Sequence, residues 1–182
     1  MKYKQLSIDG VWLMEPDVFG DQRGYFFESF KPEEFRRHVG DVTFVQENES
    51  RSRFGVLRGL HFQAGCHSQA KLVRVTEGRV LDVIVDLRAG SPTRGRYLAI
   101  ELSGDNHCQL FVPRGFAHGF VTLSPTACFQ YKVDNVYAPV SERTIRFDDP
   151  TIGVRWPLPE SLLIISDKDR KGVSLAEGLT FV

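Results

Sequence analysis

Residues 55–75 read GVLRGLHFQAGCHSQAKLVRV, which has the character of two successive β-strands. At the strand period of two, Leu57, Gly59, His61 and Gln63 share one face of the first run. Lys71, Val73 and Val75 share one face of the second. If those faces meet, an imidazole and an ammonium point into one pocket, with Arg58 as a second cation beside the histidine. A base flanked by anion binders is the chemistry implied. The competing reading makes His61 a hydrogen-bonded core histidine and leaves Arg58 and Lys71 as solvated strand ends.

The stretches that follow carry the same period. Residues 80–87 alternate Leu81, Val83, Val85 and Leu87 against Val80, Asp82, Ile84 and Asp86, a strand whose mixed second face can line a cavity. Gly90, Ser91 and Pro92 end it. Residues 96–102, 108–112, 119–123 and 127–133 are further short strands, separated by SGDN, PRG and SPT turn signals. Such spacing points to a sandwich or barrel. One helix precedes the central strands. Pro32 suits its first turn, Glu33 and Glu34 its positive end, Arg36, Arg37 and His38 its negative end, and Gly40 its stop. The C-terminal third, with its WP, DP and LP pairs, predicts irregular structure and short helical turns. No repeat or linker interrupts the chain, so one domain spanning 1–182 is expected.

Composition narrows the functional classes. The chain has 182 residues, 42% of them hydrophobic, enough for one domain with a substantial core. Lys plus Arg and Asp plus Glu each total 23, so the formal charge is zero and a protein built to coat nucleic acid is not expected. A local arginine cluster can still bind a small anion. The N-terminus MKYKQLSIDG lacks the apolar core of a signal peptide, and no apolar run approaches the ~20 residues that span a bilayer. A cytoplasmic, soluble protein without membrane partners is expected. Cys66, Cys108 and Cys128 are odd in number and lack zinc-site spacing, so neither a disulfide framework nor a structural metal is expected. His38, His67 and His107 read as solvated surface.

Read in order, many segments resemble the dTDP-4-dehydrorhamnose 3,5-epimerases of nucleotide-sugar metabolism. They are FGDQRGYFFESF (19–30), VQEN (45–48), GVLRGLHFQ (55–63), QAKLVRV (69–75), LDVIVDLRAGSPTRG (81–95), PRGFAHGF (113–120), YKVDNVY (131–137), DDP (148–150) and SDKD (166–169). The resemblance implies a mainly β, cupin-like double-sheet β-barrel, or jelly roll, with short peripheral helices. It also implies a homodimer that shares or exchanges an N-terminal edge strand. Residues 113–119 resemble the second motif of cupins, many of which hold a metal on several histidines. The first-motif region here offers His61-Phe62-Gln63 instead of a His-x-His pair with a glutamate, and an amide poorly replaces an imidazole on a transition metal. No metal and no cofactor is therefore expected.

The reaction of that family inverts carbons next to a ketone, which requires removing a C–H proton, holding an enolate and returning a proton to the opposite face. The resemblance assigns the base to His61, oriented by Asp169, the proton donor to Tyr131, and stabilisation of the C4 oxygen to Lys71. It places Arg23 and Arg58 near a diphosphate, where guanidinium groups donate paired hydrogen bonds, although either can instead be a surface ion pair. It lines the substrate site with Glu28, Gln46, Glu47, Asn48, His118, Glu142 and Lys168, and stacks Tyr137 on the thymine ring. His118 has an alternative role as a buried hydrogen-bonding residue. Phe19 and Phe26 add apolar wall or belong to the core.

One departure stands out. Family members commonly read Asn-His-Ser where this chain has Asn48-Glu49-Ser50, placing an acid beside the expected nucleotide site. The implied substrate is a dTDP-linked 4-keto-6-deoxy sugar. The alternatives are a related 3- or 5-epimerase, a sugar-binding module without turnover, and a metal-dependent cupin oxygenase.

Overall fold

Short runs of Val, Ile, Leu and Phe, punctuated by Gly, Pro and Asp, fold as strands along most of the chain. The computed structural model describes residues 1–177 and is mainly β. In chain order its elements are β1 (Lys2–Gln5), β2 (Trp12–Glu15), β3 (Phe19–Asp21), β4 (Gly24–Phe26), α1 (Pro32–His38), β5 (Gln46–Arg53), β6 (Val56–Gln63), β7 (Lys71–Glu77), β8 (Arg79–Asp86), β9 (Tyr97–Ser103), β10 (Gln109–Val112), β11 (Phe116–Thr122), β12 (Thr126–Val133), β13 (Glu142–Thr144), β14 (Ile164–Ile165) and α2 (Asp167–Arg170). One sheet runs β1-β2-β10-β7-β12-β5 and a second runs β13-β6-β11-β8-β9, with β14 also on β6; β3 and β4 form a separate hairpin. Among the described residues no strand pairs from one large sheet to the other, so they are not closed into a barrel as the sequence suggested. The last five residues of the expected 1–182 domain lie outside the described residues.

The two sheets share one core. Val73, Val75, Leu110 and Phe129 from the first pack with Val80, Ile84, Leu102, Phe116 and Phe120 from the second. Phe120 and Phe129 stack across the interface with ring centroids 4.3 Å apart and planes 11° from parallel, a geometry worth about 0.5–1.5 kcal/mol beyond the area buried. The outer face of the second sheet is covered as well, because Ile145, Ile152 and Trp156 from the irregular C-terminal third pack on Leu60, Phe62, Val83 and Val85. That double cover explains why β8 is buried on both faces. On the first sheet, Phe35 of α1 packs with Met14, Leu72 and Phe111.

The helix matches its sequence signals, with Pro32 in the first turn, acids at the start and bases at the end. Gly40 follows at φ +139°. The polar run QENESRSR was not expected as a strand, yet it pairs with β12 over its whole length. It is an edge strand, where charge is tolerated and discourages pairing with other chains. Two histidines expected as solvated surface also contact aromatic rings, His38 while remaining exposed and His107 while half-buried. His38 stacks on Tyr3 at 4.5 Å, and His107 lies 4.5 Å from Tyr25 and 4.9 Å from Phe27. No helix among the described residues is long and apolar enough to cross a membrane.

Candidate active site

The site depends on a break in the alternation of β6. His61 lies opposite His118 and Arg58 opposite Phe120, so two residues of β6, Gly59 and Leu60, face the single Gly119 of β11. This is a β-bulge, and the extra residue flips the faces on either side of it. Leu57 packs outward with Val121 and Phe147, while Leu60 and Phe62 also pack outward. Arg58 and His61 therefore both face the space between the sheets. The sequence reading, which put Leu57 on the His61 face, is corrected by this one-residue insertion. Glycines make it possible. Gly59 has φ +136°, a Cβ on it would sit 2.6 Å from Gly119 Cα, and a Cβ on Gly119 would sit 2.6 Å from the Arg58 carbonyl oxygen.

His61 meets Asp169 across 108 residues of sequence, with Nε2 2.7 Å from Oδ1. The aspartate is held from two directions. Ser166 caps α2 by accepting the Asp169 amide at 3.1 Å, and Asp169 Oδ2 accepts the Gly59 amide at 3.3 Å. Burial pushes the Asp169 pKa up, but His61, the Gly59 amide and Ser166 overcome it and hold the carboxyl below its ordinary value. An ionised Asp169 can only accept, so Nε2 is the N–H nitrogen and Nδ1 keeps the lone pair. The bulge thus positions His61 twice, through the strand and through the carboxylate that its own amide anchors.

A cleft of about 200 Å³ opens between the sheets, bordered by Ser50, Arg58, His61, Lys71, His118, Phe129 and Tyr131, with Glu49 at its edge. His61 comes from one sheet and Lys71 and Tyr131 from the other, so imidazole and phenol stand on opposite walls. Burial lowers the Lys71 pKa from 10.5 to about 8, against the opposing pull of the Asp82 and Glu142 charges. Among the described residues Lys71 makes no ion pair, so only the charges of Asp82 and Glu142 at longer range offset the cost of desolvating its ammonium. Burial also raises the Tyr131 pKa, with Glu142 adding to the rise and Arg58 opposing it. The phenol is thereby kept protonated.

The remaining predicted residues divide. Arg58 Nε donates to Ser52 Oγ at 3.1 Å, fixing the guanidinium beside the cleft. His118 is buried and its Nε2 lies 2.8 Å from Asp82 Oδ2, so it both borders the cleft and makes the buried hydrogen bond. Gln46 donates to Asn48 Oδ1 at 2.8 Å, and Asn48 lies opposite Tyr131. Tyr137 donates to Glu142 at 2.7 Å, and Lys168 pairs with the same carboxylate. The Glu142 charge reaches Lys71 and Tyr131. Two predicted neighbours point away. Glu47 is exposed and pairs with Lys132 at 2.8 Å, and the Glu49 carboxylate accepts from Gln130 at 2.8 Å. Strand alternation puts both carboxylates on the face opposite Asn48, although Glu49 still borders the cleft.

Arg23 and Glu28 are not brought to this cleft within the chain. Arg23 is largely exposed on the β3–β4 hairpin, paired with Asp21, and Glu28 pairs with Lys31 at 2.5 Å. Phe19 and Phe26 on the same hairpin are about two-thirds exposed rather than core. A larger hollow of about 380 Å³ lies beside Tyr25, Phe27, Arg74 and His107 and contains no paired acid and base. Sequence reasoning missed Ser52, Ser166, Gly119 and the pairing of Asp82. Only Asp82 left a signal, as a carboxylate on the second face of an apolar strand. Among the described residues no group of three or more His, Cys, Asp or Glu is placed to hold a metal ion.

Comparison with known proteins adds an independent line. A sequence profile for dTDP-4-dehydrorhamnose 3,5-epimerase matches residues 5–177. The chain is 50% identical over 182 residues to the dTDP-4-dehydrorhamnose 3,5-epimerase of Pseudomonas aeruginosa, covering 100% of this chain and 99% of that protein. The crystal structure of dTDP-6-deoxy-D-glucose-3,5-epimerase from Legionella pneumophila, in complex with dTDP-4-keto-L-rhamnose, is similar with a TM-score of 0.92 at 44% identity, covering 96% of this chain and 93% of that one. A 3'-monoepimerase from Streptomyces bikiniensis, in complex with dTDP-quinovose, gives a TM-score of 0.88 at 34% identity, covering 94% and 86%.

Proposed function

The chain belongs to the dTDP-4-dehydrorhamnose 3,5-epimerase family, and from that premise we propose a reading of its cleft as the seat of that reaction. The protein is an isomerase that epimerises dTDP-4-dehydro-6-deoxy-D-glucose at C3 and C5, giving dTDP-4-dehydro-L-rhamnose on the route to dTDP-L-rhamnose. The observation that carries the assignment of roles is the His61–Asp169 pair on one wall facing Lys71 and Tyr131 on the other.

In this reading Nδ1 of His61 takes the proton from the carbon beside the C4 ketone, and Asp169 stabilises the imidazolium that results. The electron pair moves into the enolate, whose C4 oxygen is met by the Lys71 ammonium, a charge fixed in place before the reaction begins. The Tyr131 phenol gives a proton to the opposite face of the same carbon. The resulting phenolate is reprotonated, and His61 deprotonated, through solvent. Each centre needs one such cycle, so a single base and a single donor serve both. Arg58 holds the diphosphate, Tyr137 stacks on the nucleobase, and Glu142, Lys168, His118, Gln46 and Asn48 line the path between. No metal or other cofactor takes part.

Arg23 and Glu28 enter the site in this reading from a second copy. The exposed aromatic hairpin that carries Arg23 gives such a homodimer its contact surface, since Phe19, Tyr25 and Phe26 are each more than half exposed. Each copy is a single domain with a cupin-like jelly-roll arrangement, acting in the cytoplasm. The test is incubation with the 4-keto substrate in deuterated water while C3 and C5 are followed by NMR. Exchange and inversion at both carbons are expected. Exchange at one centre only would make the protein a mono-epimerase, and ligand binding without any exchange would reduce it to a sugar-binding module.

A further inference from the structure

Gln63 stands two residues beyond His61 on β6, at the place where a metal-holding cupin offers a histidine, and its amide is fully committed elsewhere. The side chain is buried, with 5% of its surface exposed. Nε2 donates to the His67 carbonyl at 2.9 Å and to the Val136 carbonyl at 3.1 Å, while Oε1 accepts the Ala138 amide at 2.6 Å. Both N–H groups and the oxygen are used. The bonds to Val136 and Ala138 grip the chain immediately before and immediately after Tyr137. That segment has no regular structure, and Tyr137 itself is 51% exposed. Packing therefore does little to orient the ring. Gln63 supplies the two backbone bonds that flank it, while Asn135, two residues earlier, is tied separately to Gln69, Cys66 and Ser68. Among the described residues the tyrosine side chain is tied by its phenol on Glu142, and Glu142 is itself the β13 residue that pairs with Gln63.

The geometry points to Gln63 as a positioning residue that sets the loop of Tyr137 relative to the strand of His61. The inference rests on the reading of Tyr137 as the partner of the nucleobase. A fixed distance between the base and the stacking ring places the reacting carbons at His61 whenever the nucleobase is seated. Ordering the loop before the ligand arrives also spares binding the entropy of doing so. On this account Gln63 acts on substrate capture and leaves the proton transfers alone.

The test is a double-mutant cycle between Gln63→Met, which keeps size but loses all three bonds, and Tyr137→Ala, read by dTDP affinity and steady-state kinetics. Gln63→Met is expected to raise KM and the dTDP Kd about tenfold or more, with kcat and the saturated C3 and C5 exchange rates within about twofold of the parent. In the Tyr137→Ala background the same substitution is expected to change the dTDP Kd by less than about twofold, because the ring it positions is gone. Unchanged dTDP affinity in Tyr137→Ala alone would refute the nucleobase reading. A Tyr137→Ala defect combined with a Gln63→Met effect that is equally large in both backgrounds, or that falls on kcat, would overturn the positioning role. Gln63→Leu, which is neutral, close in size and also lacks all three bonds, carries the same cycle if the Met variant does not fold.

Discussion

Gly119→Ala is a one-methyl perturbation of the bulge that turns Arg58 and His61 to the same face. The new Cβ would lie 2.6 Å from the Arg58 carbonyl oxygen, 2.9 Å from Gly59 Cα and 3.1 Å from a Leu60 methyl, where ordinary contact begins at 3.4 Å. The first contact is thus short by 0.8 Å, and two of the three opposing atoms are backbone, which cannot rotate away. β6 must move off β11, and overpacking of this kind costs about 1–3 kcal/mol. The same movement carries the Gly59 amide away from Asp169 and shifts His61. A misplacement approaching 1 Å costs roughly a hundredfold in rate. Gly90→Ala is the control, since Gly90 has φ +74°, unlike Gly119, and a Cβ there would meet nothing within 4 Å, so the substitution strains the backbone without a clash. Urea midpoints with unchanged m-values give the stability term, and deuterium exchange at C3 and C5 gives the site term. We expect Gly119→Ala to lose both stability and exchange, and Gly90→Ala to lose stability alone. A Gly119→Ala protein with parental midpoint and exchange rates would refute the claim that close backbone contact at the bulge sets the base.

Four further outcomes follow from the same geometry. His61→Asn should abolish deuterium uptake at both carbons, whereas Tyr131→Phe should still exchange but form little inverted product; parental exchange in folded His61→Asn would require another base. Because the Lys71 pKa is lowered to about 8, its charge disappears as pH rises through that value, so kcat/KM should fall on the alkaline side near pH 8. For stability the sign is reversed. A folded pKa below the unfolded one favours the protein above pH 10.5 and loses that benefit as pH falls through 8, so Lys71→Met should be inactive by a factor of about 10²–10³ yet melt higher at pH 7, and a lower melting point would contradict the incompletely offset charge. Arg58→Ala should weaken dTDP binding by about 1.5–3 kcal/mol, less at high salt, with calorimetry as the measure and unchanged affinity as the contrary result. Exhaustive chelation should leave turnover intact, and activity that is lost with a bound metal and regained on its return would overturn the reaction as written.

Much of this site was legible as residue types and little of it as geometry. Period-two alternation located β7, β8, β10 and β12 within a few residues, because each carries enough Val, Leu, Ile or Phe to mark a buried face. It failed at β5, where QENESRSR has no apolar residue to betray a strand and pairing with β12 alone holds it extended. It failed again inside β6, since a bulge leaves no mark in hydrophobic order beyond a glycine, and glycine also marks turns. Resemblance supplied His61, Lys71, Tyr131 and Asp169 as a set. It could not foresee that Glu47 and Glu49 turn away from Asn48, which follows only once β5 is known to be a strand. Nor could it separate Arg23 and Glu28, which the chain carries on its hairpin side, from the residues that gather between the sheets.

The cleft contains two histidines on neighbouring strands, His61 opposite His118, each paired with a buried aspartate, and the surroundings give them different work. His61 has 30% of its side chain exposed, and its aspartate reaches it from α2 at the edge of the sheet. His118 has 8% exposed, and its partner Asp82 is wholly buried in the middle of β8. A general base must meet a carbon of the substrate, so accessibility favours the first pair. The second pair acts through charge. Asp82 Oδ2 is taken by His118, while Oδ1 has no hydrogen-bond partner, an arrangement that is costly for a buried carboxylate. The field of that aspartate falls on Lys71 and opposes the loss of its proton. The buried pair thus offsets part of the cost of holding an ammonium between two sheets, and the ammonium is the group that an enolate oxygen requires. In the proposed reaction, stability given up at Lys71 is recovered when an enolate oxygen forms beside its ammonium, which is the condition for binding the transition state more tightly than the substrate.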